Sequence, residues 1–298
     1  MEFEVIDVSG WPVMSQEPGG AEPKDWLARP EDVARPAHDH LWLFKSVKLG
    51  TETGYRRRDD VAERLASALA HAIRLPAAQV EFARRGKLEG IISGNITPKG
   101  WELHSGDTRL SECPGYKSCS GDNRPKEREG HNLTNIATVL DGCGGPPGPL
   151  AGQRAFSVFA GYLVFDAWIA NTDRHAINWA VLERNGHRRL APSFDHGSAL
   201  ASGIDDVHLS KQDPLKFARS GMASRFENGR KQPLVDLALT AVKLVGTQAE
   251  EWLERVARFD RAQLDELLAA ATRSMRLSDQ RRTFLVTALQ ENQRRLTA

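Results

Sequence analysis

The dipeptide Asn185-Gly186 is the feature that most restricts how this chain can fold. It separates WAVLER from HRRLAPSFD, two runs in which apolar and polar side chains alternate. Asn-Gly between such runs is typical of a β-hairpin with a two-residue loop, because both residues tolerate the positive φ angles of that turn. In this hairpin Arg184 pairs with His187, and the pairing sets the register of both strands. The sequence therefore predicts a short antiparallel element in this part of the chain.

The same register brings two polar side chains to one face of the hairpin. Asn178 falls opposite Ser193, and Asp195 follows Ser193 at the next position on that face. Diagonal neighbours of this kind lie roughly 7–8 Å apart at the backbone, so an amide oxygen and a carboxylate can reach one cation between them. Oxygen ligands of this type suit Mg²⁺. We therefore predict that Asn178 and Asp195 bind Mg²⁺.

A third polar residue, Asp173, precedes Asn178 by five positions. It follows FSVFAGYLVFDAWIAN, an apolar run of helical length, and a carboxylate there can lie beside the same cation without binding it. Phosphoryl transfer requires this arrangement: one acid orients or deprotonates the attacking hydroxyl, while an Asn and a second Asp hold metal on the phosphates. The structural alternative is that Asp173 caps a helix, Asn178 ends a strand and Asp195 begins a turn at Gly197.

Composition restricts the class of protein. The 298 residues are 40% hydrophobic and 27% charged, as expected of a globular protein with a substantial core. The net charge of +1 gives no support for direct nucleic-acid binding. No apolar run approaches the roughly 20 residues that span a bilayer, and MEFEVIDVSG lacks the pattern of a signal peptide. We expect a cytoplasmic protein that makes no use of a membrane.

The pattern changes along the chain in a way that predicts two lobes. Residues 1–103 contain strand-like runs, such as LWLFKSV and LEGIISGNI, and the helix DDVAERLASALAHAIRLP, with Asp59 or Asp60 as its expected N-cap. Residues 104–132 are polar and rich in glycine and serine, and they predict a long loop or insertion. Residues 133–298 are mostly helical by periodicity, apart from the hairpin. The expected fold class is α+β.

The order of these motifs resembles that of protein kinases. Their catalytic loop has the same D-x-x-x-x-N spacing, and D-H-G at Asp195 stands where kinases have D-F-G. Kinases also hold the ATP phosphates with a lysine on a strand of the first lobe. Lys45 in LWLFKSV fits that role; the alternative is an edge-strand lysine that points to water. Gly19 and Gly20, in QEPGGAEPK, let backbone amides approach a phosphate, and an ordinary Pro-Gly-Gly turn is the alternative.

The acidic partner of Lys45 is expected on the following helix. Glu63 is the natural choice by position, but a helical wheel places it away from the apolar stripe that includes Val61 and Leu65, and so toward solvent. The pattern of the helix alone leaves the role of Glu63 open. The two lobes are expected to meet near Ser93–Gly94, which would form the hinge to adenine.

Together these residues resemble the HipA-like kinases, bacterial Ser/Thr kinases of the toxin–antitoxin type, over roughly residues 13–200. The family's catalytic loop reads N-x-D-x-H-x-x-N, its glycine-rich segment resembles GGAEPK, and its lysine strand resembles WLFK. The matching positions of the catalytic segment are Asn171, Asp173, His175 and Asn178, followed by Asp195 to Gly197. The resemblance also implies that Glu63 pairs with Lys45. The D-R-H-x-x-N and D-H-G motifs are similar to those of the phosphoinositide 3/4-kinases as well.

The resemblance implies a two-lobed, protein-kinase-like fold that uses ATP and Mg²⁺ to phosphorylate a serine or threonine of a protein substrate. The alternatives are a kinase for a small molecule or a lipid, and a pseudokinase that binds nucleotide without transfer. Because the glycine-rich segment begins near residue 15, we expect this chain to lack the extra N-terminal subdomain of longer family members. Because some short HipA-like toxins work with separate small proteins, a small antitoxin-type partner is expected.

Overall fold

The first part of the chain forms a six-stranded sheet against which a helix packs. The computed structural model describes residues 3–16, 24–34, 37–47, 56–119, 128–274 and 276–298. The sheet contains β1 Val5–Asp7, β2 Val13–Gln16, β3 Asp25–Leu27, β4 Trp42–Ser46, β5 Val80–Arg85 and β6 Leu88–Gly94, and helix α1 spans Asp59–Ala72. The strand order is β1-β5-β6-β4-β3-β2. The β1–β5 pair is parallel and the other pairs are antiparallel.

The remainder is mostly helical, as its periodicity predicts. Its helices are α2 Gly106–Leu110, α3 Leu133–Val139, α4 Ala155–Trp168, α5 Asp206–Leu209, α6 Pro214–Ser220, α7 Leu234–Val245, α8 Thr247–Arg258, α9 Arg261–Arg273 and α10 Asp279–Leu296. A small antiparallel sheet is formed by β7 Glu102–Ser105, β8 Ala180–Arg184 and β9 His187–Leu190, in that order. Among the described residues, no helix is both long and apolar enough to cross a membrane. The predicted α+β class is confirmed.

Helix α4 lies at the centre of the second part. Every residue of it except Phe156 is buried, since the sequence is apolar around almost the whole helix. Helices α7, α8 and α10 pack around it. The closest approach is at Gly161, where a Cβ atom would lie 2.5 Å from the indole of Trp252 on α8. Glycine is therefore required there for the two helices to pack as they do.

One apolar core joins the two parts. It includes Leu65 of α1 and Ile91 of β6 as well as Phe165 of α4. A polar contact supports it, because the guanidinium of Arg255 on α8 donates to the carbonyl of Arg74, just after α1, at 3.0 Å. The outer face of the six-stranded sheet has its own cluster, which contains Val8, Leu27, Trp42, Phe44, Ala83 and Ile92. The inner face and α1 are thus held against the second part.

The predicted hairpin is present with its predicted register. Arg184 pairs with His187, and the loop residues Asn185 and Gly186 have φ values of 49° and 77°. Positive φ at both loop positions is the requirement that makes Asn-Gly a hairpin signal. Loop and pairing are both confirmed.

Helix α1 buries its predicted apolar stripe, but its predicted N-cap is wrong. Arg58 occupies the N-cap position, and no side chain caps the helix there. Both candidate acids lie in the first turn and pair with arginines instead: Asp60 with Arg56 at 2.8 Å, and Asp59 with Arg57 at 3.1 Å. Because both carboxylates are used in these ion pairs, neither of them caps the backbone amides at the start of α1.

Residues 104–132 contain more regular structure than the predicted loop. Strand β7 ends at Ser105, whose side chain caps α2, and β7 pairs with β8. Asp107 of α2 is buried and accepts hydrogen bonds from the Ser118 hydroxyl and the Cys119 backbone, each at 2.7 Å. Burial opposes ionisation, but the hydrogen bonds outweigh it and lower the pKa of Asp107 to about 2. The buried carboxylate of Asp107 therefore holds Ser118 and Cys119 against α2.

Candidate active site

Lys45 on β4 forms an ion pair with Glu63 of α1. The two side chains approach to 3.2 Å between Nζ and Oε1, and Glu63 is buried. Burial raises the pKa of the Glu63 carboxyl, while the ammonium of Lys45 acts in the opposite direction. The helical wheel was wrong about solvent exposure, because the lysine compensates for burying a carboxylate on this side of the helix.

The second oxygen of Glu63 reaches the D-H-G motif. Its Oε2 accepts a hydrogen bond from the backbone N–H of His196 at 3.1 Å. The preceding residue, Asp195, has a φ of 59°, a left-handed conformation that is uncommon for a residue with a side chain. Backbone strain of this kind concentrates at functional sites. Glu63 thus connects Lys45 with the turn that holds Asp195.

The carboxylate of Asp195 lies half-buried among positive charges. Burial by itself would raise its pKa, but the charges of Lys45 and Lys24 outweigh that effect, and the net pKa is lowered. The lowered pKa keeps the Asp195 carboxylate ionised, and an ionised carboxylate oxygen is a ligand that divalent cations prefer.

Asp173 and Asn178 are joined directly. Asn178 ends a 3₁₀ turn, Ala176–Asn178, and its Nδ2 donates to the backbone carbonyl of Asp173 at 2.9 Å. Because the amide nitrogen is used in this way, the Oδ1 of this buried side chain stays available as a ligand. The carboxylate of Asp195 and this amide oxygen are the donors that Mg²⁺ prefers, so the residues present fit that ion.

Asn178 and Ser193 do not pair across the hairpin, so the predicted register fails beyond Ala180. Buried Arg174 lies between the two segments instead. Its guanidinium donates to the carbonyl of Asn178 at 2.7 Å and to the Ser193 hydroxyl at 2.9 Å. It also binds both carboxylate oxygens of Asp166, at 2.7 and 2.8 Å. A side chain thus replaces the strand pairing that the alternating pattern predicted.

The carboxylate of Asp173 is engaged at both oxygens. Ser198, just after the D-H-G motif, donates its hydroxyl proton to Oδ2 at 3.2 Å. Arg225 donates from Nε to Oδ1 at 2.6 Å. Neither residue was predicted from the sequence. The proximity of Ser198 to Asp195 in the sequence was a usable signal, whereas Arg225 has no spacing relation to any motif.

The remaining predicted nucleotide-site residues are placed only in part. Ser93 of β6 pairs with Leu43 of β4, and Ile91 pairs with Lys45. Because side chains alternate along strands, Ser93 lies on the same sheet face as Lys45. Gly19 and Gly20 lie outside the described residues.

Solved structures resemble this chain, although at the level of sequence no protein-family profile and no curated protein matches it. The proinflammatory kinase CtkA of Helicobacter pylori has a TM-score of 0.69 at 17% identity, covering 99% of this chain and 96% of its own. HipA of Shewanella oneidensis, solved with HipB and operator DNA, has a TM-score of 0.54 at 12% identity, covering 96% of this chain and 66% of its own. The chain has a kinase-like fold with HipA among its structural neighbours, and that prediction is confirmed.

Proposed function

We propose that this protein is an ATP-dependent kinase that phosphorylates serine or threonine residues of a protein substrate. The observation that carries the proposal is the chain of contacts from Lys45 through Glu63 to the backbone of His196. These contacts tie a lysine of one lobe to the D-H-G turn of the other. Phosphoryl transfer needs that link, because one group holds the phosphates and the other holds the metal.

In the proposed reaction the acceptor hydroxyl attacks the γ-phosphorus of ATP. The bond from that phosphorus to the bridging oxygen breaks, and ADP leaves. Asp173 orients the hydroxyl and takes its proton, while Lys45 binds the α- and β-phosphates. Asn178 and Asp195 would hold Mg²⁺, which when bound neutralises charge on the phosphate oxygens.

The adenine would bind at the hinge near Ser93, between a first lobe of residues 1–103 and a second lobe of residues 133–298. Gly19 and Gly20 would cover the phosphates through their backbone amides. These assignments follow from the sequence motifs and from the position of Ser93 on the same sheet face as Lys45.

The complete set of Lys45, Asp173, Asn178 and Asp195 favours a kinase that transfers phosphate over a pseudokinase. A kinase for a small molecule or a lipid is the second candidate on the same fold. HipA was solved with HipB, which supports a small antitoxin-type partner and a toxin role for this chain. The cytoplasmic location stays a prediction.

The proposal is tested by incubating the purified protein with γ-labelled ATP and Mg²⁺, alone and with a bacterial lysate. We expect wild type to label a polypeptide and Asp173→Ala to label none, while both bind ATP with similar affinity in a titration. The matched control is Asp236→Ala, which removes an exposed acid from α7 and should label as wild type does.

The other outcomes distinguish the alternatives. If the label enters only small molecules or lipids, the protein is a kinase for such an acceptor, which is the second candidate. ATP binding without any transfer would indicate a pseudokinase. Equal labelling by wild type and Asp173→Ala would contradict the assignment of the site, and a protein that does not bind ATP would contradict the kinase function itself.

A further inference from the structure

A residue outside all the sequence motifs contacts the proposed acid Asp173. Arg225 lies between α6 and α7, and its Nε is 2.6 Å from Asp173 Oδ1. With the Ser198 hydroxyl on Oδ2, the carboxylate is held by two groups from separate segments. The side chains of Arg225 and Asp173 are 31% and 24% exposed, so the pair lies where an acceptor can reach it.

The segment that carries Arg225 is itself held by a buried histidine. The indole Nε1 of Trp179 can only donate, and it lies 3.2 Å from His131 Nε2, so that ring nitrogen accepts. The proton of the neutral ring is therefore on Nδ1, which donates to the backbone carbonyl of Arg225 at 2.6 Å. His131 also stacks on Phe226, with ring centroids 4.5 Å apart. A continuous path of contacts thus runs from Trp179 to the carboxylate of Asp173.

We propose that Arg225 is a positioning residue for phosphoryl transfer and that His131 presents it to Asp173; this rests on the proposed kinase function. A carboxylate bound at both oxygens does not turn about its Cβ–Cγ bond, so its remaining lone pairs stay directed toward the acceptor hydroxyl. Without Arg225 only a fraction of the complexes has that geometry. Misplacement of about 1 Å can slow a reaction roughly 100-fold.

Arg225 acts through Asp173, so its effect should appear in the rate of transfer and should depend on Asp173. The probe is labelled ATP with Mg²⁺ and dephosphorylated casein, with autophosphorylation followed in parallel. We expect Arg225→Met to lower kcat about 100-fold while KM for ATP stays near the wild-type value. In an Asp173→Asn background the same replacement should change the rate by less than about threefold, because additivity fails for residues that act together.

A second measurement does not depend on the residual activity of Asp173→Asn. Guanidinium added at millimolar concentration to Arg225→Ala should restore part of the lost rate, since it can occupy the position left beside Asp173. Guanidinium should not accelerate the wild type. The matched control is Lys231→Met, which removes an exposed cation from the same segment and should keep wild-type rates.

Three results would overturn the proposal. Arg225→Met could keep the wild-type kcat, which would leave the kinase function standing without this role. Arg225→Met could lower the rate equally in the wild-type and Asp173→Asn backgrounds, and guanidinium could fail to rescue Arg225→Ala. Together these results would show that Arg225 supports only the fold. A wild type that labels neither itself, nor casein, nor any lysate polypeptide would overturn the protein kinase function and this role together.

Discussion

Arg174 is a buried residue that connects several segments of the site. Its side chain and that of Asp166 are each only 2% exposed, and the guanidinium bonds that carboxylate, the Asn178 carbonyl and the Ser193 hydroxyl. A buried ion pair is tolerated when its geometry is good and further hydrogen bonds satisfy the remaining groups. One guanidinium therefore fixes the spacing between the loop that contains Asn178 and the segment that leads to D-H-G.

Removing this guanidinium should destabilise the protein strongly. Arg174→Met leaves the Asp166 carboxylate buried and uncompensated, which typically costs about 3–5 kcal/mol of unfolding free energy. Urea unfolding followed by circular dichroism measures the loss. The control is the double variant Asp166→Leu with Arg174→Met, which should be more stable than the single variant because no buried charge remains. A single variant within about 1 kcal/mol of wild type would contradict this account.

His131 gives stability a dependence on pH with a definite sign. Burial lowers its pKa from 6.5 to about 4; the bond to the Arg225 carbonyl and Asp107 oppose this shift, while Arg128 and His175 add to it. Between these values the unfolded chain binds a proton that the folded chain does not. Stability contributed by neutral His131 is thus present above pH 6.5 and lost as the pH falls toward 4.

The expected loss over that range is about 3 kcal/mol, since one pKa unit corresponds to about 1.4 kcal/mol. Unfolding free energies of wild type and His131→Gln, measured by urea titration at pH 7 and pH 4.5, isolate this contribution from that of the other groups. Wild type should lose about 2–3 kcal/mol more than the variant. His187→Gln, at an exposed site, should follow wild type. If wild type and His131→Gln lose the same unfolding free energy between pH 7 and pH 4.5, His131 is not the cause of the pH dependence.

Residues of the site were predictable where the chemistry is local. Asp173 and Asn178 are joined by a hydrogen bond within one loop, so a spacing of five positions carries the information. Arg225 is 52 positions from Asp173, and no periodicity relates the two. The burial of Arg174 could not be predicted either, because a charged side chain is seldom buried unless it is paired, and its partner Asp166 was not identified from the sequence.

Among the elements, the contact between α4 and α8 depends on a single glycine. Gly161 allows the Trp252 indole to lie against the α4 backbone, and the indole Nε1 also donates to the Ser157 carbonyl at 3.0 Å. A methyl group at position 161 would lie 2.5 Å from the ring. Since the ring is held by this hydrogen bond and by the Arg255 guanidinium, 4.5 Å from its centroid, it cannot move away without a loss elsewhere.

Gly161→Ala should therefore destabilise the protein by about 1–3 kcal/mol, the usual cost of overpacking a core. The sign of this change in unfolding free energy is informative, because helix propensity alone favours alanine over glycine by about 1 kcal/mol and would predict stabilisation. Thermal and urea unfolding measure the change. Gly152→Ala is the matched control, since a Cβ there meets nothing within 4 Å. A stabilised Gly161→Ala variant would mean that Trp252 can move aside.

A secondary-structure element could be predicted where a local sequence pattern determines it. It could not be predicted where a distant side chain replaces the backbone pairing. The hairpin and its register follow from the positive φ of Asn185 and Gly186. The pairing of Asn178 with Ser193 fails, because Arg174 bridges the two segments. Strand β7 and helix α2 likewise occupy the first residues of the predicted polar loop, and Ser118 and Cys119 bond to the buried Asp107 carboxylate of α2.

At the scale of the whole molecule, the two lobes are expected to unfold together. Leu65 of α1, Ile91 of β6 and Phe165 of α4 belong to one apolar core. Arg276, between α9 and α10, pairs with Glu89 of β6 at 2.9 Å, which adds a contact between the ends of the lobes. A shared core makes unfolding cooperative, whereas separate cores give separate transitions.

Nucleotide binding should consequently stabilise the entire molecule in one step. In the proposed kinase, Lys45 and Asp195 come from different lobes, so ATP with Mg²⁺ would bind only when both are folded and would shift a single transition to higher temperature. At a ligand concentration of 100 times Kd the stabilisation is about 2.7 kcal/mol. Differential scanning calorimetry with and without ATP and Mg²⁺ measures this stabilisation.

The variant Asp195→Asn should keep the single transition but lose the part of the shift that depends on Mg²⁺, because an amide replaces the ionised ligand. Two transitions of which ATP moves only one would show that the lobes fold independently and that one of them alone forms the nucleotide site.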